Sequence, residues 1–394
     1  MDPSLLRREA EAIGGRLTAW RRDLHQHPEI GFQERRTASI VAGELRALGL
    51  DVQTGIAETG VVAVLQGERP GCTLMLRWDM DALPIQEAAG APYASVHPGL
   101  MHACGHDGHV AIGLGVAQVL SSHRSEVRGC VKLLFQPGEE GLGGAERMIA
   151  AGVLENPVPD AALGVHLWNV RPVGWFGIAD GPVMAGAELL EIEILGQGGH
   201  GAAPQQATDP VVAAAQVVSA LQTIVSRNLD PRATAVVSVT QIHAGETFNV
   251  IPDRAVLRGT IRTFEPEIRQ MVMRRVTEVT AGIAAALGCT ARVRLTPLTP
   301  PVVNDPAVSA KVRAAARGLF PDAVVDESER SMVSEDMAFF LQAVPGCFSL
   351  VGSADRERGQ GPAHHNSQFD FDEAVLPRAV ALLAAATIDL LSEA

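Results

Sequence analysis

Val131-Lys132-Leu133-Leu134-Phe135, followed at once by Gln136-Pro137-Gly138-Glu139-Glu140-Gly141, is the stretch that decides the fold. A short, nearly continuous apolar run that stops at a Pro/Gly turn reads as a buried strand. The polar crest behind it places two carboxylates at the strand's carboxyl end. Three other stretches repeat the arrangement. Thr73–Leu76 runs into Arg77-Trp78-Asp79-Met80-Asp81-Ala82-Leu83-Pro84, and Ala162–Val165 into His166-Leu167-Trp168-Asn169. Cys347–Val351 leads, through a Gly-rich loop, to His364-His365-Asn366-Ser367. Val61–Leu65 is a further strand of the same kind. Between these runs the period changes to that of helices. Ile13, Leu17, Trp20 and Leu24 recur at helical steps until Pro28; Glu34–Leu48 ends at Gly49, a C-terminal cap; His109–Leu120 is a third helix. Strands alternating with helices predict an α/β layer with a largely parallel sheet. Such sheets bind ligands outside the carboxyl ends of their strands, so the four crests are expected in one crevice.

Near Pro182 the texture changes. Glu188-Leu189-Leu190-Glu191-Ile192-Glu193-Ile194 alternates with a period close to two, as in a sheet with one wet face. A helix from Pro210 to Val225, strands at Ala235–Ile242 and Ala255–Arg262, and a long amphipathic helix from Glu267 to Leu287 follow. This is the order of a small α+β sandwich. The prolines of Thr296-Pro297-Leu298-Thr299-Pro300-Pro301 mark the way out, and the chain ends in a helix from Glu373 to about Leu391. The expected organisation is a larger unit, 1–184 with 297–394, into which 185–296 is inserted.

Composition narrows the function. The 394 residues are 47% hydrophobic, enough for a packed core, and 20% charged. Lys+Arg of 32 against Asp+Glu of 45 gives a formal charge of −13, which is not the footprint of a nucleic-acid binder or of a protein drawn to anionic membranes. Lys132 and Lys311 are the only lysines. Five scattered cysteines, Cys72, Cys104, Cys130, Cys289 and Cys347, argue against a disulfide framework and for a reducing compartment. No apolar leader core and no long uninterrupted apolar run is present, so a cytoplasmic location without a membrane span is expected.

Taken singly, the polar residues are unremarkable: a Glu pair is usually a solvated turn, and a histidine at a strand end is usually a hydrogen-bonded core residue. Together they form a set. Thiolate, imidazole and carboxylate hold divalent transition metals, and Gly105 lets Cys104 and His106 turn toward one ion. No second closely spaced Cys/His pair completes a structural zinc site. Cys104, His106, Glu140, His166 and His365 are too many for one tetrahedral catalytic zinc with an open position. Two ions sharing a bridging ligand, about 3.5–4 Å apart, fit better. Glu139 is then free to act as a base.

These motifs, above all Met101–His109, Gln136–Gly141 and His166–Asn169, resemble the cocatalytic metallopeptidase family that includes aminoacylases, hippurate hydrolases and plant auxin-conjugate amidohydrolases. The resemblance covers nearly the whole chain. It implies an α/β catalytic domain with helices on both faces of a mostly parallel sheet, plus an inserted ferredoxin-like α+β lid and dimerisation domain. It carries the metal ligands over to Cys104, His106, Glu140, His166 and His365, His364 being a neighbour, and the general base to Glu139. Asp81 is implied as the group that orients a ligand or the base. Gly198–Pro204 and Gly245–Pro252 resemble the lid motifs, which assign His200 to the scissile carbonyl and Asn249 to substrate placement. Ser334-Glu335-Asp336 is implied as structural support, and Arg262 is a candidate for the substrate carboxylate. Trp78, Gly138 and Gly201 depart from the usual residues, and Trp78 puts the acyl preference in question. The implied activity is hydrolysis of N-acyl-L-amino acids with two divalent ions (Zn, Mn, Co or Ni) in a homodimer. A dipeptidase or carboxypeptidase with the same site is the alternative, and a non-catalytic metal- or ligand-binding relative is a further one.

Overall fold

The computed structural model describes residues 3–355 and 361–392. By its internal packing the chain divides into two compact units. One comprises Met1–Gly181, Val302–Glu329 and Asp336–Ala394, the other Pro182–Pro301 with Arg330–Glu335.

The first unit is built on an eight-stranded sheet. Its strands lie in the order Asp51–Ile56, Gly60–Gln66, Arg128–Gln136, Arg69–Asp79, Ala161–Pro172, Gly346–Ala354, Trp175–Gly177 and Val324–Asp326. The four central ones run parallel. Antiparallel pairing is confined to the flanks. The central strands are buried along most of their length, as strands covered on both faces have to be. The register decides where the crests fall. Arg77 pairs with Gly164 and Asp79 with Gln136, which brings Asp79, Gln136 and His166 to one level of the sheet.

Alternate strand residues face different layers. Val131, Leu133, Phe135, Leu163 and Val165 join the main core with the helices Gly14–Gln26, His106–Ser122, Pro306–Leu319 and Val375–Ser392. On the opposite side Gly164 leaves room for Phe348 and Met337, and the short helices Gly144–Ala150 and Met337–Ala343 pack together. Val375–Ser392 is long and apolar enough to cross a membrane, yet 72% of it is buried inside this core.

The expected helices and strands lie within four residues of their observed limits, except that the strand expected to end at Val165 runs on through His166–Asn169 to Pro172. The Asp51–Ile56 strand is mostly exposed and carries no apolar run to announce it. The helices at Pro210 and Pro306 each begin with an Asp-Pro pair. Asp209 accepts from the amides of Val211 and Val212, and Asp305 from those of Ala307 and Val308. This satisfies donors that the first helical turn leaves without partners.

The second unit is a four-stranded antiparallel sheet in the order Ala235–Ala244, Arg254–Thr263, Gly186–Leu195, Thr290–Thr299. Leu190, Ile192 and Ile194 face the core made with the helices Pro210–Thr223 and Pro266–Ala286, while Glu191 and Glu193 face outward. The last strand continues past Pro297, into the proline cluster that reads as an exit. It is an edge strand with a register shift at Pro297/Thr299, so one missing N–H is tolerated there. Arg330–Glu335, which the sequence reading places in the larger unit, packs with this one. Ala185 N donates to Ser331 O (3.0 Å), and Ser331 N to Val183 O (2.8 Å).

Candidate metal centre

Arg77, at the end of its strand, is fully buried and distributes its guanidinium among three partners. Nε donates to Gln136 Oε1 (2.7 Å), and the terminal nitrogens to Asp79 Oδ2 (2.8 Å) and Asp336 Oδ1 (2.7 Å). A buried cation needs such compensation. It locks the crests of two strands to the start of the Met337–Ala343 helix. Four residues beyond Arg77, the Asp81 carbonyl accepts from His106 Nδ1 (2.9 Å), its Oδ1 lies 3.2 Å from the same nitrogen, and its Oδ2 accepts the Glu140 amide (3.0 Å).

The five expected ligands lie in one cluster. Gly105, at φ 90°, takes the left-handed turn that separates Cys104 from His106, which opens its helix. Cys104 Sγ is 3.5 Å from His166 Nε2. Glu140 Oε1 is 3.2 Å from His365 Nε2 and 4.0 Å from His106 Nε2. The donor atoms of Cys104, His106 and His166, those of Cys104, Glu140 and His365, and those of His106, Glu139 and Glu140 each lie within 4.8 Å of one another. These groups share members. His365 sits at φ 64°, uncommon for a residue with a side chain, and is held there by its amide donating to Ala103 O (2.8 Å).

The donor set suits a divalent cation. His106 and His166 each commit Nδ1 to a carbonyl, of Asp81 and of Leu167 respectively, and turn Nε2 toward the cluster. His106 Nε2 is buried without a hydrogen-bond partner among the described residues. Burial, reinforced by His109 and His364, holds His166 below the usual histidine range, neutral and with its lone pair available. Hydrogen bonding to Cys104 and Glu140 pushes His365 up to about 10. The thiol and the carboxylate thus favour positive charge among them.

Glu139 stands on a turn clamped from behind. Gly138, at φ 63°, faces the Phe32 ring, which an added Cβ would meet at 2.8 Å; this explains why glycine stands here in departure from the usual residue. The Gly138 amide donates to Glu34 Oε1 (2.9 Å), and the Asp336 amide to Glu139 Oε1 (3.4 Å). Trp78 lies fully buried against Phe135 (centroids 5.2 Å), with Gly113 making room for it. It belongs to the core and does not line the crevice.

His200 and Asn249 belong to the second unit, and the fold brings them to neighbouring loops. His200 pairs with Val250, and Gly201 N donates to Asn249 O (2.8 Å). Both side chains are exposed, and Phe248 is fully exposed. Arg262 donates to Ser334 Oγ (2.6 Å).

His109 lies in the Met101–His109 motif but is not among the expected site residues. Its Nδ1 donates to Asp79 Oδ1 (2.6 Å) and its Nε2 accepts the Leu167 amide (2.9 Å). The three-residue step from His106 is the signal that finds it, because that step stacks the two rings on one helix face (5.3 Å).

The chain matches Peptidase family M20/M25/M40 over residues 75–389. It is 40% identical over 363 residues to the N-acetyl-L-cysteine deacetylase of Bacillus subtilis, covering 92% of this chain and 85% of that protein. To the IAA-amino acid hydrolase ILR1-like 2 of Arabidopsis thaliana it is 40% identical over 378 residues, 95% of this chain and 84% of the other. Among solved structures, the YXEP protein of Bacillus subtilis, described as a dinuclear metal binding peptidase, superposes with a TM-score of 0.85 at 36% identity, over 97% and 99% of the two chains.

Proposed function

We propose, for a chain that belongs to peptidase family M20/M25/M40, hydrolysis of the amide bond of N-acyl amino acids at the cluster of Cys104, His106, Glu140, His166 and His365. The observation that carries this reading is the carboxylate of Glu139, held by the Asp336 amide, beside the clustered donors of Cys104, His106, Glu140, His166 and His365. The similarity to a deacetylase of an N-acyl amino acid and to a hydrolase of amino-acid conjugates supports the substrate class.

Those five residues would hold two divalent ions, which when bound would supply Lewis acidity and lower the pKa of water. Glu139 takes the proton of the attacking water and returns it to the leaving amine nitrogen. Its carboxylate is aimed by the Asp336 amide, and Asp81 holds both His106 and the backbone of Glu140. His200 polarises the scissile carbonyl and Asn249 places the substrate. The exposed edge strand Ala235–Ala244 and the fully exposed Phe248 suit a homodimer through that unit. Thiolate and imidazole admit zinc, cobalt or nickel, and the carboxylate admits manganese as well. Five free cysteines suit the cytoplasm.

The test is amine release from a panel of N-acyl amino acids and dipeptides, with protein stripped by chelator and reloaded with Zn, Mn, Co or Ni. Metal-dependent release favouring the acyl amino acids is expected. Preference for dipeptides moves the assignment to a peptidase, and no turnover with bound metal overturns the enzymatic reading.

A further inference from the structure

His109 is fully buried between two of the proposed metal ligands. Its ring stacks on that of His106 and stands edge-on to that of His166, with centroids 4.7 Å apart in the second pair. Position alone suggests a sixth ligand, and Asp79, His106 and His109 do group their donor atoms closely. Its hydrogen bonds exclude that role. Nε2 accepts the backbone N–H of Leu167 at 2.9 Å, and Nδ1 lies 2.6 Å from Asp79 Oδ1. A nitrogen that accepts from an amide carries no proton, so the proton is on Nδ1 and points at Asp79. Both nitrogens are committed, and neither offers a lone pair to an ion.

The bond to Leu167 answers a need of the sheet. The Ala161–Pro172 strand pairs with Arg69–Asp79 only as far as Gly164. Beyond that point the buried Leu167 amide needs another acceptor, and His109 is it. Leu167 in turn orients the metal site, because its carbonyl accepts from His166 Nδ1 (2.7 Å) and from His364 Nε2 (2.9 Å). The first of these bonds turns His166 Nε2 toward Cys104.

We propose that Asp79 and His109 are positioning residues, a strut that fixes Leu167 and through it the direction of the His166 lone pair at the metal centre. The inference rests on the metal-centre reading above. Asp79 sets the tautomer. Its other oxygen accepts from Arg77 (2.8 Å), so both oxygens face donors. In D79N one donor must meet the amide NH2. With the asparagine oxygen kept on Arg77, the NH2 faces His109 Nδ1, the ring proton moves to Nε2, and that N–H then opposes the Leu167 N–H.

The test reads metal binding without substrate. Wild type, H109A, H109Q and D79N are stripped and titrated with Co2+ against a competing chelator, and their visible ligand-field spectra are recorded. H109A and D79N are expected to bind about 10- to 100-fold more weakly, the usual loss when a group behind a ligand is removed, with shifted bands. H109Q, whose side-chain oxygen can accept from Leu167 and whose NH2 can reach Asp79, is expected to recover part of both. Asp79 also lies 3.7 Å from His106 Nε2, so D79N alone is not decisive. Folded H109A with wild-type affinity and spectrum overturns the strut and leaves the metal centre standing. If H109A does not fold, H109Q decides: intermediate affinity with shifted bands supports the strut, and wild-type or abolished binding overturns it. Wild type that takes up no Co2+ overturns the metal-centre reading and the strut with it.

Discussion

Glu34 accepts the backbone N–H of Gly138 at 2.9 Å, across 104 residues of chain, and so braces the Glu139-Glu140 turn from the start of a distant helix. Its other oxygen meets the Thr59 hydroxyl at 2.5 Å. Burial pushes this carboxyl up to about 7, above its value in an unfolded chain, so the fold favours the protonated form. The stabilisation that this form brings is complete below about pH 4.5 and fades as pH rises through about 7. E34Q imitates the protonated carboxyl and escapes the loss. In thermal unfolding of metal-free protein from pH 5 to 8, the variant is expected to match wild type most closely at pH 5 and to gain on it upward. The gap at high pH is on the order of 2–3 kcal/mol, at about 1.4 kcal/mol per pKa unit. Parallel profiles for the two proteins rule this account out.

E139Q separates the base from the ligands. Glu139 is proposed to move a proton and Glu140 to hold metal, so the variant is expected to keep wild-type metal content while kcat falls about 10²- to 10⁴-fold. Near wild-type turnover reassigns the base. A matching loss of metal makes Glu139 a ligand.

C104S tests the thiolate. Cys104 belongs to both the His106/His166 and the Glu140/His365 groups, so its loss is expected to weaken metal binding at both and to lower activity in proportion to metal content. The same logic applies to chelation. An ion held only by the folded chain stabilises it by about 4 kcal/mol at a thousand times its Kd, so EDTA is expected to lower the melting temperature as well as remove activity. Metal analysis with calorimetry checks both, and an unchanged melting temperature in EDTA speaks against a bound ion.

Trp78 is a core residue with no face on the crevice. W78A is expected to cost about 3–5 kcal/mol of stability, as large aromatic deletions do, while the ranking of acyl substrates by kcat/KM stays as in wild type. A reordered ranking in a well-folded variant shows that this position does bear on the acyl preference.

The site was legible in the sequence wherever a residue belongs to a short cluster after an apolar run. The Glu139-Glu140 pair, His166 and the His364-His365 pair announce themselves this way, because a parallel sheet puts chemistry at its strand ends; Cys104 and His106 stand out instead by their close spacing around Gly105 at the start of a helix. Glu34 and His109 do not. Glu34 is one of several glutamates near a helix start, and His109 reads as the first turn of an apolar helix. Their partners, Gly138 and Leu167, lie far along the chain. The strand at Asp51–Ile56 was silent for a different reason: its side chains are largely wet, and its place depends on backbone pairing with Gly60–Gln66.

Composition, periodicity and residue order were sufficient for the α/β class and for a list of candidate metal donors, since these follow from which faces must be buried and which atoms can bind a cation. The tertiary structure decided the rest. It placed Trp78 in the core, moved Arg330–Glu335 to the second unit, and chose which nitrogen of each histidine is left for a ligand. Those outcomes depend on strand register, on core packing and on hydrogen-bond partners that the fold brings together, and a linear pattern of side chains does not contain them.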